Sequence, residues 1–218
     1  MKHTLELCSG YASFSHVAKS DFNCETVTVD IDPYFNPTFC VDILKWDYQR
    51  AFEPLHFDII WCSPPCTEYS NQKRSGVRNL ELADSIVLKC IEIIRFFKPP
   101  LWCIENPYTG MLKRRWFMAD LPSFHVDYCA YDPDLGMKKQ TMIWTNHPSF
   151  LPRTCPGPGR CPSMIDRRHI KTCTGSYWEE SWKSKKGRAR ELARIPFPLI
   201  RSLLVHFDKI PSCINKQK

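Results

Sequence analysis

The chain has 218 residues, of which 43% are hydrophobic and 13% aromatic, and these values exclude a wholly disordered protein. No apolar run approaches membrane-spanning length, and the N-terminus carries an acid where a signal peptide needs an apolar stretch, so we expect a soluble, intracellular protein. The formal net charge of +7 fits a polyanionic partner. The 12 cysteines are expected to be reduced thiols, because disulfide scaffolds belong to short secreted chains.

The first part of the chain alternates between predicted strands and helices. Residues 5–8 predict a strand, Ser9-Gly10 a tight turn, and residues 13–18 the start of a helix, a layout that binds nucleotide-like ligands at a helix N-terminus. Residues 26–32 are rich in β-branched side chains and predict a second strand, where the carboxylate of Asp30 suits a ribose diol. Residues 39–43 repeat this pattern with Asp42.

A proline-locked turn follows the fourth predicted strand. Residues 57–61 are apolar and predict a buried strand, and Pro64 and Pro65 then force the chain out of the sheet. Cys66 is therefore expected at the carboxyl end of a strand, where open α/β sheets place their chemistry. The alternative is that Cys66 is a small buried hydrophobe, but a rigid turn favours presentation of its side chain.

The next segments complete a mainly parallel sheet. A basic loop with Lys73, Arg74 and Arg78 could contact a ligand or be a solvated connection. Residues 80–97 are apolar on nearly every face and predict a buried helix, and residues 101–104 predict a strand that leads to Glu105. Alternating strands and helices predict an α/β fold with a doubly wound, mainly parallel sheet.

The pattern changes after residue 120. Residues 124–131 and 140–145 predict two strands without an intervening helix, which indicates an antiparallel pair at one edge of the sheet. Residues 147–187 are rich in proline, glycine, cysteine and basic residues and predict a small inserted subdomain. Helical patterning returns over residues 188–207. We therefore expect one domain from residues 1–146 and 188–210, interrupted by the insertion.

The insertion contains a set of candidate zinc ligands, Cys155, Cys161, His169 and Cys173. Their spacing is looser than the paired cysteines of a zinc knuckle, and a proline-rich loop with incidental cysteines is the alternative. Basic residues that include Arg167 and Arg168 accompany aromatic residues further along, a mixture that suits phosphate contacts and base stacking. A solvated basic face is the alternative for these residues.

The order of these features resembles the cytosine-5 DNA methyltransferase family, and in particular its compact phage and viral members. The matching motifs are residues 5–10, Asp30-Ile31-Asp32-Pro33, Asp42-Ile43, Pro64-Pro65-Cys66, Ile104-Glu105-Asn106-Pro107 and Lys138-Lys139-Gln140. The most specific signal is a Pro-Pro-Cys turn followed by Glu-Asn-Pro, each after an apolar strand. The resemblance implies a Rossmann-like class I methyltransferase fold, S-adenosylmethionine as methyl donor and DNA as substrate.

The resemblance also implies roles for individual residues. Cys66 would add to cytosine carbon 6, as a thiolate that basic surroundings favour, and Glu105 would meet the N3 edge of the ring. Lys139 would stand in for a catalytic arginine. The implied cofactor site comprises Glu6, Cys8, Ser9, Gly10, Asp30, Ile31, Asp42, Ile43 and Pro64. The implied contacts to an extruded base and its DNA are Lys73, Arg74, Arg78, Lys138, Arg167 and Arg168.

The chain departs from the family pattern at several positions. Cys8 replaces an aromatic residue, Thr67 replaces a glutamine after the nucleophile, and lysines replace arginines near residue 139. An RNA cytosine-5 methyltransferase and a catalytically inactive nucleic-acid-binding homologue are therefore kept as alternatives. We expect a monomer or weak dimer that does not bind membranes and is located wherever its target DNA is.

Overall fold

The computed structural model describes residues 1–171 and 192–205. Its main feature is a seven-stranded sheet with the strand order β3-β2-β1-β4-β5-β7-β6. The strands are β1 (His3–Leu7), β2 (Glu25–Asp30), β3 (Phe39–Cys40), β4 (Ile59–Cys62), β5 (Leu101–Pro107), β6 (Ser123–Asp127) and β7 (Gln140–Thr145). Strands β1 to β5 run parallel, whereas β7 is antiparallel to both β5 and β6. The predicted fold class is confirmed, including the antiparallel edge pair.

Helices cover both faces of this sheet. They are α1 (Ser13–Phe22), α2 (Tyr48–Ala51), α3 (Leu80–Phe97) and α4 (Phe197–Leu204). Buried residues of α3 belong to one apolar core and those of α1 and α4 to another, which is the doubly wound arrangement.

Helix α3 has the bounds that its sequence pattern predicts. Its N-cap Asn79 accepts a hydrogen bond from the Leu82 backbone N–H at 3.0 Å. At the other end Lys98 takes a left-handed conformation with φ 46°, and the prolines that follow prevent further helix. The buried face of α3 includes Cys90 and Phe97, so the helix closes one face of the sheet.

The register of the central strands brings the segments after β1 and β4 and the end of β5 to one edge of the sheet. Leu7 at the end of β1 lies opposite Val29 of β2 and Cys62 of β4. Cys62 in turn lies opposite Ile104 of β5. Because these strands are parallel, the segments that follow β1 and β4 and the last residues of β5 converge there.

Three predicted strands end three or more residues away from their predicted carboxyl ends. The run predicted over 124–131 stops at Asp127, because the Tyr128 N–H bonds to the Lys138 carbonyl and Tyr128–Ala130 forms a 3₁₀ turn. The run predicted over 39–43 is a strand only over Phe39–Cys40, so Asp42 and Ile43 lie beyond it. Strand β5 continues through Glu105 to Pro107 because β7 pairs with it that far.

The predicted insertion begins with an irregular segment and a short hairpin of β8 (Met164–Ile165) and β9 (Arg168–His169). Asp166 and Arg167 are both left-handed, as a type I′ hairpin turn requires. The hairpin region docks on the loop before β7, where the Lys171 N–H donates to the Gly136 carbonyl at 2.7 Å. Residues 172–187 lie outside the described part of the chain, so the predicted subdomain stays a prediction.

The last described helix is shorter than the pattern over 188–207 suggests. Pro196 is its N-cap and Pro198 lies in its first turn, where the missing N–H of proline is tolerated. Residues 188–191, 206 and 207 are outside the described residues. Over the ranges 1–171 and 192–205, none of the helices has the length and apolar character needed to cross a bilayer.

Candidate active site

Cys66 lies in a turn that hydrogen bonds anchor on both sides. The Ser63 N–H donates to the Leu7 carbonyl at 3.1 Å, which ties the chain after β4 to the end of β1. The buried Asn106 donates its Nδ2–H to the Pro64 carbonyl at 2.9 Å, and the Cys66 carbonyl accepts from the Tyr69 N–H at 3.1 Å. The Cys66 side chain is exposed, as the proline-locked turn predicts.

Cys66 opens into a cavity of about 800 Å³ at the carboxyl edge of the sheet. Its walls come from the turn after β1, the Cys66 turn, the end of β5, the start of β7 and the β8–β9 hairpin. The predicted site residues in this lining are Glu6, Cys8, Ser9, Gly10, Pro64, Cys66, Glu105, Lys138, Lys139, Arg167, Arg168 and His169. The cavity therefore joins the predicted cofactor turn to the predicted catalytic and nucleic-acid-binding residues.

Glu105 belongs to a buried polar network on the cavity wall. The Tyr128 hydroxyl donates to Glu105 Oε1 at 3.2 Å, and Lys139 Nζ lies 3.9 Å from the same oxygen. Lys139 Nζ also donates to the Tyr128 hydroxyl at 3.3 Å and to the Leu192 carbonyl at 2.5 Å. Sequence reasoning missed Tyr128, because nothing in a single sequence marks a tyrosine in a predicted strand as the neighbour of a distant glutamate.

The pKa of the Cys66 thiol is raised above its ordinary value. Surrounding protein atoms displace water from the thiol, the Glu105 carboxylate raises the pKa further, and the Lys139 ammonium opposes both effects. The Lys139 ammonium favours the thiolate, as expected of basic surroundings. Among the described residues, burial of the sulfur and the Glu105 carboxylate outweigh it.

The turn after β1 contains left-handed residues, and the buried acid Glu6 lies just before it. Cys8, Gly10 and Ala12 all have φ values near 50°, at 53°, 48° and 51° respectively. The Glu6 carboxylate accepts the N–H groups of Phe14 at 3.3 Å and Ser15 at 2.8 Å, so it binds the N-terminus of α1. Burial raises the pKa of Glu6 from 4.5 to about 7.

Three of the four predicted zinc ligands lie together. His169 Nε2 is 3.4 Å from Cys155 Sγ and 3.6 Å from Cys161 Sγ. The fourth neighbour is Cys129, in the turn after β6, and the ligand atoms of all four residues lie within 4.8 Å of one another. Cys173, the fourth ligand predicted from spacing, is outside the described residues.

Comparison with known proteins decides the family. The chain is 33% identical over 220 residues to a protein of frog virus 3 named "Probable DNA (cytosine-5)-methyltransferase", and the match covers 92% of this chain and 97% of that protein. This chain belongs to the DNA (cytosine-5)-methyltransferase family. The predicted resemblance to small viral members is confirmed, and the chain is an enzyme of the S-adenosylmethionine-dependent methyltransferase class.

The structural comparison agrees on the fold of this DNA (cytosine-5)-methyltransferase family member. The chain superimposes on the Entamoeba histolytica methyltransferase EhMeth with a TM-score of 0.51 at 16% sequence identity. The superposition covers 69% of this chain and 54% of that one. The chain thus spans about half the length of that solved structure. No protein-family model matches the chain.

In this methyltransferase Glu6 lines the cavity, whereas Asp30 and Asp42, the other acids predicted to bind the cofactor, do not. Asp30 accepts the Gly10 N–H at 2.7 Å and the Asp32 N–H at 2.9 Å, so it shapes the turn after β1. Asp42 accepts the Leu44 N–H at 3.0 Å, and Ile43 is buried in the core. Ile31 directly follows β2 and is 68% exposed.

The predicted nucleic-acid contacts of the methyltransferase fall into two groups. Lys73 binds Glu68 at 2.6 Å, and Arg78 donates to the Glu68 and Ser70 carbonyls at 2.7 and 2.8 Å, so both hold their own loop together. Arg74 is exposed in that loop. Three others line the cavity, namely Lys138, Arg167 and Arg168. Lys138 Nζ is also 3.7 Å from the buried Asp127 carboxylate.

Proposed function

We propose that this chain transfers a methyl group from S-adenosylmethionine to carbon 5 of cytosine in DNA, through a covalent adduct with Cys66. The observation that supports this best is the shared cavity, in which the exposed Cys66, the buried Glu105 and the turn after β1 face one space. The cavity volume lies in the range of small-molecule sites. Family membership supports the reaction class, and the geometry supports the residue roles.

Cys66 acts as the nucleophile in this proposal. Cytosine carbon 5 is a poor nucleophile, and addition of a thiolate to carbon 6 converts the ring into an enamine whose carbon 5 can accept a methyl group. Because burial and Glu105 raise the pKa of the thiol, its proton must leave before or during the addition. After methylation, a base from solvent takes the carbon-5 proton, the C6–S bond breaks with its electron pair leaving on the Cys66 sulfur as thiolate, and the aromatic ring is restored.

Glu105 meets the N3 edge of the ring and stabilises the adduct. Electron density moves to N3 when the sulfur adds to carbon 6, and a carboxyl group at that edge can donate a hydrogen bond or a proton there. Tyr128 and Lys139 position the carboxyl through contacts of 3.2 and 3.9 Å. Lys139 also has a backbone partner in Leu192, which favours a positioning role over direct contact with the base.

The residues at the end of β2 and β3 fit a nucleoside cofactor. S-adenosylmethionine supplies an electrophilic methyl group on a sulfonium sulfur when bound. Asp30 and Asp42 offer acceptors for ribose hydroxyls and an amino group, and the exposed Ile31 offers an apolar surface for the adenine ring. The two carboxylates and the exposed Ile31 side chain therefore fit S-adenosylmethionine.

Residues 1–146 and 188–210 form the methyltransferase domain in this proposal, and residues 147–187 form a reduced target-recognition region. Arg167 and Arg168 are exposed on the β8–β9 hairpin and line the same cavity as Cys66. Guanidinium groups at a cavity entrance suit the phosphates that flank an extruded base. Lys73 and Arg78 contribute by holding the loop beside Cys66 in place.

The proposal is tested by nucleoside analysis after incubation with methyl-labelled S-adenosylmethionine and duplex DNA, RNA or free nucleotide. We expect 5-methylcytosine in DNA and a covalent complex on DNA that carries 5-fluorocytosine. Cys66→Ala should abolish both products, whereas Cys40→Ser, at another exposed cysteine, should retain both. Methyl label in RNA and not in DNA would show that RNA is the substrate. Methyl transfer by Cys66→Ala would exclude the covalent mechanism.

A further inference from the structure

A cluster of three cysteines and one histidine lies beside the cavity. Cys129 comes from the turn after β6, Cys155 from the extended part of the insertion, Cys161 from the turn before β8, and His169 from β9. These four residues come from separate local elements, and their ligand atoms nevertheless lie within 4.8 Å of one another. Cys129 and Cys161 are buried, whereas Cys155 and His169 are half-buried.

The histidine-to-sulfur distances in this cluster match a tetrahedral zinc site. With a Zn–S bond of about 2.3 Å and a Zn–N bond of about 2.0 Å, tetrahedral angles separate a sulfur and a nitrogen ligand by about 3.5 Å. The observed distances from His169 Nε2 to the sulfurs of Cys155 and Cys161 are 3.4 and 3.6 Å. A disulfide between two of the cysteines would give no reason for an imidazole nitrogen to lie this close to two sulfurs.

The surroundings of the cluster are suited to its charge. Three thiolates and one divalent cation carry a net negative charge, and the cationic residues Lys138, Arg167 and Arg168 belong to the neighbouring cavity wall. The backbone around the cluster is also held, since the Cys155 N–H donates to Asp127 Oδ2 at 2.8 Å. Asp127 is the last residue of β6, two positions before Cys129.

We propose that Cys129, Cys155, Cys161 and His169 bind one zinc ion that fastens the insertion to the catalytic domain. Cys129 directly follows Tyr128, whose hydroxyl contacts Glu105, and His169 directly follows Arg168 on the hairpin. One ion therefore fixes the hairpin with the cavity-lining arginines relative to the wall that orients Glu105. The segment is poor in aliphatic side chains, and a metal supplies the stability that a small core cannot.

The test is metal analysis of the full chain, produced with added zinc and purified under reducing conditions without chelators. We expect one zinc per chain. Cobalt reconstitution should give the intense visible bands of a tetrahedral ion and a sulfur-to-cobalt charge-transfer band of three thiolates. Cys129→Ser should lose the metal, whereas Cys173→Ser, at the cysteine that spacing alone selects, should keep one zinc per chain.

Two further measurements keep the proposal testable if Cys129→Ser does not fold. His169→Cys should retain the metal and strengthen the charge-transfer band, whereas His169→Ala should weaken cobalt binding. Removal of zinc from the wild-type chain should accelerate amide exchange in residues 153–171 and leave α3 unchanged. Each readout is independent of methyl transfer.

Four results would overturn the zinc site. The first is a wild-type chain that binds neither zinc nor cobalt. The second is loss of metal in Cys173→Ser with retention in Cys129→Ser. The third is a disulfide between any two of the three cysteines in freshly purified protein, and the fourth is unchanged exchange after zinc removal.

Discussion

At the scale of single residues, Cys66 shows how opposing neighbours set the state of a nucleophile. Exclusion of water from the thiol and the Glu105 carboxylate both raise its pKa. The Lys139 ammonium lowers it and is itself held by Tyr128 and the Leu192 carbonyl. The reactivity of the thiol should therefore increase as the pH rises through its pKa.

The pH dependence of Cys66 alkylation checks this balance. Glu105→Gln removes a negative neighbour and should move the alkylation profile of the Cys66 peptide to lower pH. Lys139→Gln removes the positive neighbour and should move the profile to higher pH. Methyl transfer by Glu105→Gln should nevertheless fall by about 10²- to 10⁴-fold, because the group at the N3 edge is lost. Shifts in the same direction for both variants would contradict the assigned network.

At the scale of elements, the turn after β1 depends on acids that bind backbone N–H groups. Glu6 holds the first N–H groups of α1, and Asp30 holds the Gly10 N–H. The same residues line or border the cavity, so the shape of the predicted cofactor site and the stability of α1 are linked.

Glu6 should make the stability of the fold depend on pH. Its pKa is raised in the folded chain from 4.5 to about 7, so the neutral form is favoured there. The contribution of Glu6 is therefore fully present below about pH 4.5 and is lost as the pH rises through about 7. Relative to Glu6→Gln, the wild-type free energy of unfolding should fall by about 3 kcal/mol across that window.

Urea unfolding at a series of pH values measures this difference. Glu53→Gln, at an exposed acid outside the cavity lining, is the control and should follow the wild-type profile. A constant difference between the wild type and Glu6→Gln over the whole window would show that the buried carboxyl stays ionised.

Asp30 should contribute to cofactor binding through the turn that it shapes. Asp30→Ala removes the acceptor of the Gly10 N–H and an acceptor for the ribose, and should weaken S-adenosylmethionine binding by about 1–3 kcal/mol in calorimetry. Asp47→Ala is the matched control, because Asp47 also accepts a backbone N–H, from Arg50 at 3.3 Å, but caps α2 outside the cavity lining. Equal affinities of the wild type and Asp30→Ala would locate the cofactor elsewhere.

At the scale of the whole molecule, the cavity is assembled from both ends of the described chain. The sheet supplies Cys66 and Glu105, the hairpin supplies Arg167 and Arg168, and Leu192 closes the network around Lys139. Among the described residues, this assembly brings Lys138, Lys139, Arg167 and Arg168 to one cavity.

The cations at the cavity should set the salt dependence of DNA binding. Arg168→Ala should lower DNA affinity and reduce the slope of log affinity against log salt by about one phosphate contact. Lys19→Ala is the control, because Lys19 is exposed in the last turn of α1, at the opposite edge of the sheet from the cavity. A salt slope that is equal in Arg168→Ala and the wild type would exclude this hairpin from the DNA interface.

Much of the framework is predictable from the sequence because its signals are local. Prolines at 64 and 65 determine the Cys66 turn, Asn79 and the residues from Lys98 to Pro100 bound α3, and β-branched runs mark the central strands. Strand ends were less predictable, since β5 extends to Pro107 only because β7 pairs with it.

Contacts between segments that are distant in the chain depend on the tertiary structure. Tyr128 reaches Glu105, Lys139 reaches Leu192, and Cys129 joins Cys155, Cys161 and His169. Spacing along the chain selected Cys173 instead of Cys129, because sequence distance carries no information on how a turn after β6 meets an inserted loop. The same holds for the thiol of Cys66, whose pKa depends on burial and on a carboxylate that a neighbouring strand supplies. Local sequence specifies which chemical groups are present and the turns that present them, whereas packing brings particular groups into contact.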